Sequence, residues 1–276
     1  VLSKMVREGK VLKLYISADI EGVTGVTHWD ETSKNKGDYS QFADQMTAEV
    51  RAACEGAGEY AEVEIVVKDA HESGRNIDHS KLPHYTRLIR GWDEGLYSMV
   101  QGLDDSYDGL AFIGYHSGAG IEGSPLSHTL TPGILSIRIN GQAVDEFMLH
   151  AYIAAYHKVP VVFLSGDQAL CKRVKEINPN IETVAVKEGR GSSTISIHPD
   201  RAVELIRSGI KRGLAMEKNM LLIQLPETFQ VEVEYPRHYE ARRNSFYPGA
   251  SLVDSTTVSF TSNDYIEVLR FIHFTV

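Results

Sequence analysis

The sequence predicts an α/β fold: a largely parallel sheet flanked by helices, with a smaller α+β lobe at the C-terminal end. From residue 13 to residue 213, apolar runs typical of buried strands alternate with segments of helical spacing, as in a parallel sheet with helical crossovers. After residue 219 the segment FQVEVEY alternates apolar and acidic residues, which is typical of a half-exposed antiparallel strand.

Three regions are expected along the 276 residues, a length that suits one large domain or two small ones. Residues 1–11 are predicted to be a disordered extension or residues left from expression, with Met5 as a candidate natural start. Residues 12–218 are predicted to form the α/β domain. Residues 219–276 are predicted to form the smaller lobe, either as part of the same domain or as part of an oligomer interface.

The first predicted strand, residues 13–18, is rich in β-branched and aromatic side chains. A helix over residues 39–58 follows, because Phe42, Met46 and Val50 recur at helical spacing. The same patterns predict strand 63–68, helix 92–102, strand 110–115, strand 134–139, helix 145–157, strand 159–165, helix 167–177, strand 183–186 and helix 199–213. In the C-terminal region they predict strands 220–225 and 229–235 and a helix over 262–274.

Charge and cysteine content exclude several classes of function. The formal net charge is -9 and the lysines and arginines are scattered, with no basic cluster longer than a pair, so we expect no nucleic-acid partner. No apolar run is long enough to span a membrane, and the N-terminal segment lacks the apolar core of a signal peptide. Cys54 and Cys171 lie in or near predicted helices, so we expect two buried thiols and a cytoplasmic protein.

Two carboxylates, Asp19 and Glu21, follow the first predicted strand in the segment SADIEG. Residues two apart on a strand point to one face, so Ser17, Asp19 and Glu21 are expected to project together from the strand end. In a cleft such a pair of carboxylates is costly unless a proton or a cation lies between them.

Further polar residues occur at the ends of later predicted elements. His71 follows the second strand, His116 follows the third, and Glu146 begins the helix after the fourth strand and its Asn140-Gly141 turn. Ligands of open α/β sheets bind outside the carboxyl ends of the strands, so we expect these side chains to converge there.

The residue types indicate a metal centre. Imidazole and carboxylate ligands without thiolate favour zinc, and also cobalt, manganese or iron. Five ligands are too many for one tetrahedral catalytic zinc but suit two metals that share a carboxylate, roughly 3.5–4 Å apart. Such a pair holds a hydroxide at neutral pH and polarises a carbonyl or phosphoryl oxygen. The cation between Asp19 and Glu21 is therefore predicted to be a metal.

Each of these residues, taken alone, has a simpler explanation. Asp19 and Glu21 could cap a turn, and a lone His71 or His116 is more often a hydrogen-bonded loop residue than a ligand. Glu146 could be a solvated acid at a helix N-terminus. His150 lies four residues after Glu146 and could bind with it, but its apolar neighbours favour a packed position, so whether His150 contributes stays open.

His128 lies in a loop rich in glycine, serine and proline, HSGAGIEGSPLSHTLTPG, over residues 116–133. The loop could fold His128 back over the metals as a general acid or base, or as an oxyanion donor. Spacing alone favours an exposed loop histidine. The remaining histidines are expected to be structural: His28, His79, His84, His157, His198, His238 and His273.

Five motifs in order resemble the D-aminopeptidase family of metallopeptidases, peptidase family M55, over roughly residues 12–275. They are S-A-D-I-E-G at 17–22, D-A-H at 69–71, G-Y-H at 114–116, S-H-T at 127–129 and N-G-x-x-x-x-E at 140–146. The resemblance implies a two-zinc aminopeptidase that releases N-terminal D-residues from short peptides and assembles as a ring-like homodecamer with the sites facing an inner chamber.

The same resemblance implies roles for individual residues. Asp19 would bridge the two zinc ions. Glu21 and His116 would complete one zinc site, and His71 and Glu146 would complete the other. His128 takes the position of the family's proposed catalytic histidine. This sequence departs from the pattern at Glu72, where a small residue is expected after the ligand histidine, and that leaves the shape of the pocket and the substrate open.

Two other kinds of function compete with this one. The first is a related binuclear metallohydrolase that acts on another amide or ester, a phosphoester included. A phosphate substrate would call for a Gly-rich cradle or an arginine clamp, and Arg75 is the only arginine near the motifs in sequence. The second is a binding or assembly protein without turnover, which the complete set of ligands disfavours.

Overall fold

The computed structural model describes residues 11–276, so the predicted extension over residues 1–11 lies, apart from Val11, outside the described residues. The strands are β1 (Leu12–Ala18), β2 (Val63–Asp69), β3 (Thr86–Ile89), β4 (Gly109–Tyr115), β5 (Ser136–Ile139), β6 (Gln142–Ala143), β7 (Val161–Asp167), β8 (Glu182–Arg190), β9 (Ser193–Ser196), β10 (Phe229–Glu234), β11 (Ser251–Leu252) and β12 (Thr257–Ser262). The α-helices are α1 (Tyr39–Tyr60), α2 (Glu146–Tyr156), α3 (Gln168–Ile177), α4 (Pro199–Leu214), α5 (His238–Asn244) and α6 (Tyr265–Thr275).

A seven-stranded sheet in the order β3-β2-β1-β4-β7-β8-β9 forms the main layer. Its neighbouring strands are parallel, except that β9 runs antiparallel to β8. Every residue of β4 and of β7 is buried, as expected of central strands covered by helices on both faces. This sheet confirms the predicted α/β class.

The strand order reverses beside β1, which pairs with β2 on one side and with β4 on the other. The crossovers on the two sides of such a point diverge and leave a crevice at the carboxyl ends of the strands. The fold therefore provides a cleft beyond Ala18 and Tyr115, where the predicted ligands begin.

A second sheet, in the order β11-β12-β10-β5-β6, is antiparallel throughout. Burial alternates along β10, so the acidic and apolar pattern of FQVEVEY is confirmed as a half-exposed strand. The sheet also takes in the β5–β6 hairpin from the middle of the chain. The strand predicted at residues 134–139 therefore exists, but it does not belong to the parallel sheet.

Two predicted elements are wrong. The helix predicted over residues 92–102 is reduced to a 3₁₀ turn at Ser98–Val100, because Glu94 and Ser98 adopt left-handed backbone angles with φ of 58° and 43°. The strand predicted over residues 220–225 is a 3₁₀ turn at Lys218–Leu221 followed by irregular chain. Apolar residues there pack without a partner strand, and periodicity alone does not detect that difference.

Cys54 and Cys171 are both buried free thiols, as predicted. Within the described part of the chain, no helix combines the length and the apolar character needed to cross a bilayer.

Candidate active site

The predicted ligands meet in the crevice beside β1. Asp19 and Glu21 follow β1, His71 follows β2 and His116 follows β4, while Glu146 is the first residue of α2. Each of the five is at most 8% exposed. Glu146 therefore reaches the site from the end of the β5–β6 hairpin and not from a strand of the parallel sheet. The expectation that all of these side chains lie at the strand ends of one sheet is wrong for Glu146.

Asp19 lies between the two histidines. Its Oδ1 is 3.2 Å from Nδ1 of His71, and its Oδ2 is 3.4 Å from Nε2 of His116. Nδ1 of His71 is also 3.1 Å from Oε2 of Glu21, and Nε2 of His116 is 3.3 Å from Oε2 of Glu146. The short separations thus form two groups that share Asp19.

This grouping differs from the one implied by the resemblance, which joined Glu21 with His116. Donor atoms of Asp19, Glu21 and His116 do lie within 4.8 Å of one another. The shorter separation nevertheless joins Glu21 to His71, and we base the ligand sets on the shorter distances.

The donor atoms fit a zinc site. Ligands about 2.0–2.1 Å from a tetrahedral zinc are separated from one another by roughly 3.3 Å, close to the separation of each histidine nitrogen from its two carboxylates. Oε2 of Glu21, Nε2 of His116 and Oε2 of Glu146 are buried and have no hydrogen-bond partner. Buried polar atoms are rarely left unpaired, so these three indicate a missing cation.

Charge within the cluster is strongly coupled. Burial alone would raise the pKa of Asp19, but the adjacent imidazoles of His116 and His71 hold it well below its usual value. Burial alone would also raise the pKa of Glu146, but the positive charge of His116 outweighs this effect and lowers the pKa to about 2. Burial lowers the pKa of His71 and His116, yet the adjacent carboxylates raise it well above the usual value. Asp19 and Glu146 are therefore ionised, which favours positive charge between them.

Hydrogen bonds to the backbone orient the histidines. Nε2 of His71 is 2.9 Å from the carbonyl of Thr32, so its Nδ1 faces the cluster. Nδ1 of His116 is 2.9 Å from the carbonyl of Ser117, so its Nε2 faces the cluster. Each imidazole thus turns one nitrogen to a fixed acceptor and the other to the metal position, as metal-binding histidines do.

The loop over residues 116–133 does fold His128 back over the cluster. The His128 ring stacks on that of His116 with centroids 4.4 Å apart, and the edge of Trp29 packs at 5.3 Å. Nδ1 of His128 is 2.9 Å from the carbonyl of Leu126, and Nε2 is 3.6 Å from Oε1 of Glu146. The interpretation of His128 as an exposed loop residue, favoured by spacing alone, is wrong.

His150 is buried at the edge of the site. Its Nδ1 is 2.6 Å from the backbone carbonyl of Glu146, and burial lowers its pKa below the usual value. It lines the cavity, but among residues 11–276 its ring forms no ion pair with the carboxylate of Asp19, Glu21 or Glu146. His273, which the sequence indicated to be structural, also lines the cavity.

A cavity of about 530 Å³ opens from the cluster. Its apolar walls come from five regions of the chain: Trp29, Trp92, Leu96, Met99, Leu130, Leu149, Leu269 and Ile272. The size lies within the range of sites for small ligands.

The sequence model of the D-aminopeptidase family, peptidase family M55, matches residues 12–274. The chain belongs to this family. The D-aminopeptidase of Bacillus subtilis (strain 168) is 31% identical over 261 residues, which is 94% of each chain. The solved structure of the Zn-dependent D-aminopeptidase DppA from Bacillus subtilis, a self-compartmentalizing protease, superposes with a TM-score of 0.88 at 29% identity over 96% of each chain.

Membership in the D-aminopeptidase family confirms the resemblance on which the predicted activity rests: the chain is an enzyme of the metallo-aminopeptidase class. Glu72, where the sequence was expected to depart from the family pattern, lies at the cavity. Glu72 adopts a left-handed φ of 44° and lines the cavity beside the ligand His71.

Sequence reasoning missed the buried carboxylates that hold the ligand turns. The Asp69 carboxylate accepts hydrogen bonds from the backbone amides of Asn76 and Ile77, and Asn76 Nδ2 donates to the carbonyl of His71 at 2.7 Å. The Asp167 carboxylate accepts from the backbone N and the Oγ of Ser117 at 2.6 and 2.8 Å. The available signal was the position of each carboxylate at a strand end. Asp69 ends β2 two residues before His71, and Asp167 ends β7, the strand that pairs with β4.

Lys187 was missed for a different reason, because nothing in its own segment suggests a functional role. Its side chain is 3% exposed, and Nζ donates to the carbonyls of Glu21 and Val26. Burial lowers the pKa of Lys187 to about 8. The ammonium group fixes the backbone of the loop that carries Asp19 and Glu21.

The structure shows why glycine ends the S-A-D-I-E-G motif, at Gly22. Its N–H donates to the carbonyl of Gly114 at 2.7 Å, and a Cβ atom there would lie 1.9 Å from the carbonyl oxygen of Tyr115. Only glycine allows the ligand loop to approach β4 this closely.

We therefore expect Gly22→Ala to lower the free energy of unfolding by about 3 kcal/mol, because backbone must shift on both sides of the contact. Gly37→Ala is the matched control, since a Cβ there meets nothing within 4 Å, and it should stay within about 0.5 kcal/mol of the parent. Urea unfolding measures both, and equal stability of the two variants would contradict the close approach.

Proposed function

We propose that the protein is a two-zinc aminopeptidase that releases N-terminal D-residues from short peptides or amides. The observation that carries this proposal is the set of three unpaired buried atoms on Glu21, His116 and Glu146 around the Asp19 carboxylate. The zinc dependence of the Bacillus subtilis structure supports the choice of metal.

The short separations support two ligand sets that share Asp19. Asp19, Glu21 and His71 would hold one zinc, and Asp19, His116 and Glu146 would hold the other. When bound, the zinc ions would polarise the scissile carbonyl and activate water.

The protein's own groups supply the rest of the chemistry. If Nδ1 of His128 carries the proton and donates to the Leu126 carbonyl, Nε2 is left with a lone pair above the cluster. In that tautomer His128 accepts a proton from the attacking water and later returns it to the leaving amine. The stack on His116 and the contact with Trp29 hold the ring in this position.

The cavity lining favours a peptide over the rival phosphoester. Neither lysine nor arginine lines the cavity within residues 11–276, and Arg75 is not part of it. A phosphate dianion would therefore enter without a cationic clamp.

We further propose a homodecamer in the cytoplasm with the active sites facing an inner chamber. The self-compartmentalizing character of the Bacillus subtilis relative supports the assembly. Strongly exposed apolar side chains such as Phe246 and Phe274 offer surface for subunit contacts. A stable monomer in light scattering at micromolar concentration would contradict the decamer. The two reduced buried thiols support the cytoplasm, and a secreted pool in cell fractionation would contradict it.

The substrate class is tested with D-Ala and L-Ala p-nitroanilides. The zinc-loaded enzyme should hydrolyse the D-Ala compound, should act more slowly on the L-Ala compound, and should lose both activities on chelation. Zinc-loaded protein that cleaves neither compound, or that prefers L-Ala, would contradict the proposed activity.

Metal content tests the ligand sets. Elemental analysis of the zinc-loaded protein should find two zinc ions per chain. Asp19→Ala should lose both, because Asp19 faces both histidines, whereas His71→Ala should weaken only one. His79→Ala, at an exposed histidine outside the cavity, is the control and should keep two ions. Equal metal loss in the Asp19 and His71 variants would show that the grouping is wrong.

His128→Ala should retain both zinc ions while kcat falls by about a hundredfold to ten-thousandfold, the range typical of a positioned acid–base group. His84→Ala, at another exposed histidine, should leave kcat unchanged. Zinc content and kcat are measured on the same preparations. Loss of one zinc from His128→Ala would make His128 a ligand, and an unchanged kcat would remove it from the mechanism.

A further inference from the structure

Three carboxylates line the open side of the active-site cavity: Glu72, Asp93 and Glu94. All three residues are exposed, whereas the ligand residues at the closed end are buried. We call this group the acidic rim. It comes from the turn after β2 and from the irregular segment that replaces the predicted helix over 92–102.

The rim carries a net negative charge. No lysine or arginine forms an ion pair with Glu72, Asp93 or Glu94 among the residues the structure places. Lys68 interacts electrostatically with Asp93. Its Nζ lies 3.8 Å from the centroid of the Trp92 ring and donates to the carbonyls of Asp69 and Gly91, so this one cation offsets only part of the charge of the three carboxylates.

The buried end of the same cavity shows independently that a ligand enters here. Glu21 and Glu146 line the cavity, and each presents an unpaired buried oxygen at its closed end. The three exposed acids therefore lie on the route to a binding site.

The direction of a bound peptide follows from the depth of the cavity. The N-terminal residue has no chain before it, so it can occupy the closed end beside the ligands. The part that follows the scissile bond has to leave through the open side, past the acidic rim. A positive side chain there would be attracted, and a free carboxylate would be repelled.

We propose, on the basis of the aminopeptidase activity proposed above, that the acidic rim selects peptides whose second residue has a cationic side chain. The same charges disfavour a free α-carboxylate directly after the scissile bond. Basic peptides and peptide amides are then better substrates than simple dipeptides. Glu72, the position at which this sequence departs from its family, is one of the residues responsible.

Three amides that share an N-terminal D-Ala test this selection: D-Ala-Lys-NH₂, D-Ala-norleucine-NH₂ and D-Ala-Glu-NH₂. With the zinc-loaded enzyme at low salt, kcat/KM for the lysine amide should exceed that for the norleucine amide by about tenfold, as two or three exposed ion pairs allow. The glutamate amide should be the poorest substrate. At about 1 M salt, where the screening length is ~3 Å, the three values should converge.

The combined variant Glu72→Gln/Asp93→Asn/Glu94→Gln should remove the preference. Asn at position 93 keeps the oxygen that accepts from the Gly95 amide at 2.9 Å. The control Glu176→Gln/Glu217→Gln/Glu227→Gln changes the net charge equally at exposed positions outside the cavity and should retain the preference. A preference that survives in the rim variant, or equal kcat/KM values in the parent enzyme, would overturn the proposal.

Binding separates this proposal from the proposed activity. Both tryptophans of the chain, Trp29 and Trp92, line the cavity, so intrinsic fluorescence reports ligand entry. If none of the three amides is cleaved, the proposed aminopeptidase activity is contradicted. The dissociation constants of the three amides then test separately whether the acidic rim selects a cationic side chain. A lysine amide that binds about tenfold more tightly than the norleucine amide supports the selection. Equal dissociation constants overturn it.

Discussion

Three carboxylates buried within a few ångströms of one another are the constraint on which the structure depends. Asp19, Glu21 and Glu146 are each at most 2% exposed. Desolvation and mutual repulsion make such a cluster strongly unfavourable unless positive charge lies between its members. His71 and His116 occupy the spaces between the carboxylates, so the five side chains act as one electrostatic unit.

Carboxylates near the site divide into two kinds that sequence alone does not separate. Asp69 and Asp167 accept several hydrogen bonds from backbone amides, and so they fix the turns that carry His71 and His116. Asp145 caps α2 through the Met148 amide and pairs with Arg173 at 3.0 Å. Glu21 and Glu146 instead each keep a buried oxygen without a hydrogen-bond partner at the cluster.

The parallel core and the identity of the clustered residues could be predicted from sequence because both rest on local signals. Buried strands have continuous apolar runs, and the ligands follow them directly. The origin of Glu146 could not be predicted, because β5 pairs with β10, whose partner residues lie roughly ninety positions later. The prediction of a helix over residues 92–102 was wrong because left-handed backbone angles at Glu94 and Ser98 interrupt a segment with helical periodicity. The position of His128 depended on how a glycine-rich loop folds, which spacing does not encode.

The β5–β6 hairpin has a consequence for how the protein is made. Glu146 follows a hairpin whose sheet is completed only by β10 and β12, near the end of the chain. A nascent chain that has already emerged past Glu146 still lacks the strands that dock this hairpin. The order of synthesis on the ribosome therefore delays docking of the hairpin that carries Glu146 until β10 and β12 have been made.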